Sequence, residues 1–418
     1  MLDESISHYR EIIESAARLM SEYFQKPVNF SKVIQLSEPD RRNVILRLII
    51  DHPFSEMPRA VILKKAVAET NKFDSAQNET EMEQLSRFSR DWAGIEFLTK
   101  IGGGHAPHFY VGSMEHKFIL IEDLGLSHPS LVGPLTRVSS IINVQEAEDA
   151  LISYVRRLGK MHADTFRKAD QFISILNRIN PKADPLNAIP EPEIDVTAIF
   201  KQLKLLTGYE SKELHQEIED ILEFANSPSE FHVLLHGDIC PDNVYYQDDG
   251  IRLIDFEFSY FGNALVDGVY LRMHMPSCWC SKAIPEAVLD RMEGAYKGEL
   301  MKKIPESFDD AIYSKHAAYA CAYWLLRTLR QLDEMDLIAH EWICPSGPVD
   351  SDSQWQPKEN AFRPRIISRV EAFLVCAKKA GYFPMLCEAS TLLLKHLIEI
   401  WPEAKPIDVF PVFKDFMS

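Results

Sequence analysis

Residues 234–243 read Leu-Leu-His-Gly-Asp-Ile-Cys-Pro-Asp-Asn, and residues 251–257 read Ile-Arg-Leu-Ile-Asp-Phe-Glu. Asp238 stands five before Asn243, and Asp255 follows Asp238 by 17 residues. Between them, Val244-Tyr245-Tyr246 and Ile251-Arg252-Leu253-Ile254 flank Gln247-Asp248-Asp249-Gly250, where Asp-Gly is a hairpin turn signal. A hairpin of this length brings its two ends together, so the spacing predicts that Asp238, Asn243 and Asp255 converge. One carboxylate, one amide oxygen and phosphate oxygens form a donor set suited to Mg²⁺. A second carboxylate off the metal is what orients an attacking hydroxyl in phosphoryl transfer.

Outward from this block, the chain has the make-up of an ordinary water-exposed globular protein, with 46% hydrophobic and 26% charged residues. Its 418 residues exceed what one compact core usually holds, which predicts two lobes. No apolar run is long enough for a membrane span. The acidic start, Met1-Leu2-Asp3-Glu4-Ser5, lacks the apolar stretch of a secretory signal. Seven cysteines, an odd number in apolar contexts, point to a reducing compartment, so a cytoplasmic location is expected. The net charge of −17 disfavours nucleic acid and anionic membranes as partners. It agrees with a neutral or cationic small substrate, and equally with a solvated acidic surface.

Apolar spacing predicts a helix over 5–24, strands over 31–36, 43–50 and 59–65, a helix over 79–100 closed by Gly102-Gly103-Gly104, and strands near 108–113 and 117–122. Further helices are expected at 146–165, within 196–225, and at 285–301, 309–333, 364–380 and 384–400. The proline-rich stretch 181–192 reads as a linker or surface loop, and 345–360 as a polar, mobile loop.

With these pieces in order, the sequence resembles the aminoglycoside phosphotransferase and choline kinase-like family. His236-Gly237-Asp238 with Asn243 is similar to its catalytic loop, and Ile254-Asp255-Phe256-Glu257 to its metal motif. Arg59–Lys64 resembles the strand with the phosphate-binding lysine. Phe118–Gly125 resembles the connector that holds adenine, which implicates Glu122, Asp123 and Leu124. Leu158–Ala163 resembles a helix motif before the loop, and Gly262–Asp267 the segment whose aspartate braces it. The resemblance covers about 30–330 and implies an α+β, two-lobed protein kinase-like fold. A small antiparallel-sheet lobe over 1–122 would bind nucleotide, and a large, mainly helical lobe over 123–418 would carry the catalytic loop, metal site and substrate region.

The implied activity is transfer of the γ-phosphate of ATP to a hydroxyl of a small molecule, such as an aminoglycoside-like, choline-like or other alcohol. Asp238 would orient the hydroxyl, Asn243 and Asp255 would ligate Mg²⁺, and Lys64 would hold the α- and β-phosphates, paired by register with Asp91. His236 and Asp267 would brace the loop. Glu257 would support the metal or lie exposed at a strand end. Lys65 is the alternative lysine, but adjacent strand residues point to opposite faces. Two alternatives stay open. The glycine-free loop Leu36–Arg42 and the short Asp91 suit a catalytically degraded nucleotide-binding regulator. A protein kinase is disfavoured by Cys240, where such enzymes commonly place lysine, and by the lack of an Ala-Pro-Glu segment. Cys278-Trp279-Cys280, with His274 nearby, is weak zinc evidence. The helix 315–333 offers aromatics for an acceptor pocket or for the core.

Overall fold

The computed structural model describes residues 9–37, 42–67, 80–125, 130–185, 194–247, 250–356 and 359–416. Most of the nucleotide-loop stretch and the hairpin turn, at 38–41 and 248–249, lie outside the described residues. The chain divides into two compact units. One comprises Met1–His128, Asp170–Ile189 and Gln247–Ser259; the other comprises Pro129–Ala169, Pro190–Tyr246 and Tyr260–Ser418.

The first unit is built on a five-stranded antiparallel sheet. Its elements are α1 (Arg10–Phe24), β1 (Phe30–Gln35), β2 (Asn43–Ile50), β3 (Ala60–Ala66), α2 (Glu81–Ile101), β4 (Phe109–Ser113) and β5 (Phe118–Glu122), with strands ordered β1-β2-β3-β5-β4. The expected strands and helices all form here, within a few residues of their predicted ends. Side chains alternate across a strand, so Val61 and Leu63 of β3 join Leu46 and Leu48 of β2, Phe118 and Leu120 of β5, and Ile13, Ala16 and Met20 of α1 in one core. Each fully buried side chain of this kind contributes roughly 1.5–3 kcal/mol. The same alternation sends Lys64 and Lys65 to opposite faces. Lys65 donates to the carbonyl of His116 at 2.9 Å and takes no part in the carboxylate cluster described below.

Helix α2 starts with a capping box. Thr80 accepts from the Glu83 amide at 3.2 Å, and the Glu83 carboxylate accepts from the Thr80 amide at 2.7 Å. It ends at Gly102, whose φ of +74° needs no Cβ to be strained. Midway, Gly94 lets the 256–259 segment close in, since a Cβ there would sit 2.9 Å from that of Phe256. This close approach brings Asp91, one turn earlier, against the backbone of the metal-motif segment.

The second unit is mainly helical. A two-stranded antiparallel sheet pairs His232–Leu235 with Tyr260–Asn263. Long helices run over Ile141–Thr165, Glu286–Leu300, Asp310–Glu334, Phe362–Ala380 and Pro384–Ile400. The expected helix within 196–225 resolves into two, Val196–Thr207 and Lys212–Asn226, separated by the left-handed Gly208. The helix Ala169–Ile179, in the first unit from Asp170 onward, was not expected. Of the 345–360 stretch, residues 345–356 are irregular as predicted, but they are anchored: Trp355 is buried against Trp279, and the Gln354 amide donates to the Thr136 carbonyl at 2.7 Å. Among the described residues no helix is long and apolar enough to cross a membrane.

Candidate active site

In the first unit, Lys64 is the hub of a buried charge cluster. Its Nζ lies 2.5 Å from Asp255, 2.9 Å from Asp91 and 3.5 Å from Glu257. Burial opposes its charge, but Asp255, Asp91 and Glu257 outweigh burial and raise its pKa, so it is held as an ammonium. Asp91 also accepts from the Phe256 amide at 2.8 Å, so its shorter side chain still reaches both partners.

Glu257 is not at an exposed strand end. It is buried in the turn after Gly250–Leu253, bound by Arg87 at 3.0 Å, by Arg42 at 3.5 Å and by the Asn43 amide. Burial alone would raise its pKa, but Lys64, Arg42 and Arg87 hold it well below the carboxylate range. Arg87 was missed from the sequence, although it stands one helical turn before Asp91 on α2, which was a usable signal.

Asp255 has a φ of +70°, a left-handed backbone uncommon outside glycine and asparagine. Its side chain is 24% exposed. Burial first, and then the like charge of Glu257, push its pKa up. A reachable carboxylate under like-charge stress fits a divalent cation, which would relieve that stress.

The connector residues bond elsewhere. Glu122 accepts from the His108 amide at 3.0 Å, Arg47 grips Asp123 at 2.6 Å, and the Leu124 carbonyl accepts from Gln247 at 3.3 Å. Glu96 pairs with Lys100 and Arg178, away from Lys64.

In the second unit, the 236–243 loop is braced from below. Asp267 accepts from the amides of His236 at 2.7 Å and Gly237 at 3.3 Å. It does not cap its own helix, where Asn263 accepts from the Leu265 amide instead. His236 is fully buried and accepts from the Asp238 amide at 3.4 Å, a bracing contact. The loop is further pinned by Tyr154, which donates to the Ile239 carbonyl at 3.2 Å.

Asn243 donates its amide nitrogen to the Asp238 carbonyl at 2.9 Å, which leaves Oδ1 as the side chain's acceptor, the atom that can ligate a cation. Asp238 Oδ1 accepts from Ser277 at 2.7 Å and from the Cys240 thiol at 3.1 Å. Among the described residues no donor reaches its Oδ2, so that oxygen is available to a substrate hydroxyl.

Asp242 turns inward. Its Oδ2 accepts from the Trp279 indole at 2.8 Å, while its Oδ1 is buried without a partner. Burial, and then Cys278, push its pKa up to about 7. Cys240 and Cys278 are buried and lie with Asp242 in one cluster, which does not include His274.

His274 is nearly enclosed, and burial followed by the charges of Arg369 and Arg272 pushes its pKa down to about 4. Because the unfolded chain takes the proton at higher pH than the folded one, His274 costs nothing above pH 6.5 and costs progressively more as pH falls towards 4, up to about 2–3 kcal/mol. Asparagine tolerates the left-handed backbone at this position, φ +58°. We expect His274→Asn to flatten the fall in urea midpoint between pH 6.5 and 4.5. An unchanged fall would mean that other groups set the acid limb.

Residues 133–302 match the phosphotransferase enzyme family. That span is less than half of the chain; it holds Asp238, Asn243, Asp255 and Asp267, and leaves Lys64, Asp91 and the connector outside. No curated protein matches the chain. Among solved structures, the choline kinase of Cryptosporidium parvum Iowa II is 12% identical, with 94% of this chain and 95% of that one covered and a TM-score of 0.42. Choline kinase LicA from Streptococcus pneumoniae is 14% identical over 90% of this chain and all of that one, with a TM-score of 0.38. An amicoumacin kinase in complex with AMP-PNP, Ca²⁺ and Ami is 13% identical over 96% of both chains, with a TM-score of 0.41. Likenesses this distant assign no substrate.

Proposed function

We infer that the protein is a small-molecule kinase of the aminoglycoside phosphotransferase and choline kinase-like family, moving the γ-phosphate of ATP to an acceptor hydroxyl. The observation that carries this reading is the ion pair between Lys64 on β3 and Asp91 on α2, with Asp255 on the same ammonium. A strand lysine paired to a helix acid, beside a metal-motif aspartate, is the constellation that positions a triphosphate.

In this reading Lys64 binds the α- and β-phosphates, and the connector Glu122–Leu124 carries the adenine. Asn243 and Asp255 would hold Mg²⁺, which neutralises charge on the phosphates as the bond breaks. Asp238 Oδ2 accepts the hydroxyl proton while the acceptor oxygen bonds to the γ-phosphorus. The bond from that phosphorus to the β-γ bridging oxygen breaks, and ADP leaves. Asp267 and His236 act by positioning Asp238. Seven cysteines that are free thiols suit a reducing, cytoplasmic setting.

The test is transfer of labelled γ-phosphate from ATP, with Mg²⁺, to a broad panel of hydroxyl compounds. Acceptor-dependent, metal-dependent label is expected. Mg²⁺-dependent ATP binding without transfer to any acceptor would favour the regulator reading, and label entering added protein would favour a protein kinase.

A further inference from the structure

Beside the 236–243 loop, the second unit contains an open groove of about 230 Å³, room for a small solute. Ser277 lines it, and the same Ser277 hydroxyl donates to Asp238 at 2.7 Å, so the groove reaches the proposed base. Its other walls include Arg327, Arg330, Gln331, Glu334 and Arg369. Three guanidiniums therefore face one carboxylate, and Glu334 is already paired with Arg330 at 2.8 Å.

Arg369, on the helix Phe362–Ala380, is the unusual member. It is 1% exposed, and only its Nη1 is engaged, donating to Gln331 at 3.1 Å. Its Nε and Nη2 are buried and have no partner among the described residues. Two unanswered donors on a buried cation are costly, because a charge out of water needs both a counter-charge and hydrogen bonds. Neighbouring groups make this worse. Arg365, four residues earlier, spends its own donors on the carbonyls of Cys278 and Trp279 and on Asn360. Burial, and then the like charge of Arg365, push the Arg369 pKa down to about 9, and Arg369 in turn disfavours charge on His274. Nε and Nη2 form one edge of the planar guanidinium fork, the edge that grips two oxygens of a carboxylate or phosphate side by side.

We propose that this groove takes an acceptor bearing an anionic oxygen group, carboxylate or phosphate, which docks on the buried, unpaired Nε–Nη2 edge of Arg369 and presents its hydroxyl to Asp238. The assignment rests on the kinase reading for the word acceptor; anion binding itself does not. It opposes the expectation of a cationic substrate drawn from net charge, since a surface tally does not report the field in one groove.

The test uses the full chain without nucleotide, at fixed ionic strength, with glycerate, glycerol 3-phosphate and choline as probes in thermal-shift titrations. Glycerate or glycerol 3-phosphate should raise the melting temperature saturably, their ranking telling carboxylate from phosphate, and choline should not. Arg369→Met keeps chain length and removes a buried unpaired charge, so it should fold at least as well as the parent. It should weaken anion binding by roughly a hundredfold, the loss of two charge-assisted hydrogen bonds. Arg327→Gln, at the wall, reads the same loss at smaller size should Arg369→Met fail to fold. Stabilisation by choline alone, or an anion response unchanged in both variants, overturns the proposal. Phosphorylation of choline or an aminoglycoside without anion binding overturns it and leaves the kinase reading standing. Anion binding lost in both variants, with no hydroxyl compound ever phosphorylated, supports the anion site and removes the kinase reading.

Discussion

Asp238→Asn is expected to cut turnover by roughly two to four decades while leaving the melting temperature within a degree or so of the parent. The two halves of this expectation come from different oxygens. Oδ1 accepts from Ser277 and Cys240, and the carbonyl oxygen of an asparagine still accepts from both, more weakly than a carboxylate does. The loop therefore keeps its bracing, which also runs through Asp267, His236 and Tyr154. Oδ2 is the oxygen left for the substrate proton, and there asparagine offers an NH₂ that donates where acceptance is needed. Nucleotide affinity should hold, since the variant does not touch Lys64. Steady-state turnover with the best acceptor, beside a fluorescent-nucleotide titration, measures both. Full turnover in Asp238→Asn would remove Asp238 from the chemistry.

The sequence made the first unit legible because strand alternation and helix spacing act locally. Alternation says that only one of Lys64 and Lys65 can face the nucleotide, while the choice of Lys64 and its pairing with Asp91 came through the family resemblance. The bracing role of Asp267 came through the family resemblance, and its two amide contacts agree with it. What stayed hidden depends on partners far apart in the chain. Glu257 was ambiguous because its burial is set by Arg42 and Arg87, which approach from β2 and α2. Asp242 matches no required role in the motifs, and nothing near it in sequence foretells the Trp279 indole. Arg369 lies in a helix more than a hundred residues beyond the motifs, and its significance is a missing partner, which no pattern in sequence encodes. Net charge does not choose the acceptor for the same reason: it sums the whole surface, while recognition is decided by the few groups that face one groove.

Lys64→Met should lose stability and nucleotide binding together, and the two losses should be separable. In the parent, Lys64, Arg42 and Arg87 balance Asp91, Asp255 and Glu257. Removing the ammonium leaves three buried carboxylates facing two guanidiniums, and breaking a buried pair in this way costs about 3–5 kcal/mol. The cost should depend on pH with a definite sign. Asp91 and Asp255 already have raised pKa values, chiefly from burial, so without Lys64 they take protons more readily in the folded state than in the unfolded one. The deficit in urea midpoint should then be large at pH 7.5 and shrink as pH falls towards 5. Adding Asp91→Asn to Lys64→Met restores the charge balance and should recover much of the stability at pH 7.5. It should not recover nucleotide affinity, because no cation then faces the α- and β-phosphates. Recovery of both would assign Lys64 a purely structural role, whereas recovery of stability alone separates the scaffold's need for a charge at β3 from the triphosphate's need for that same ammonium.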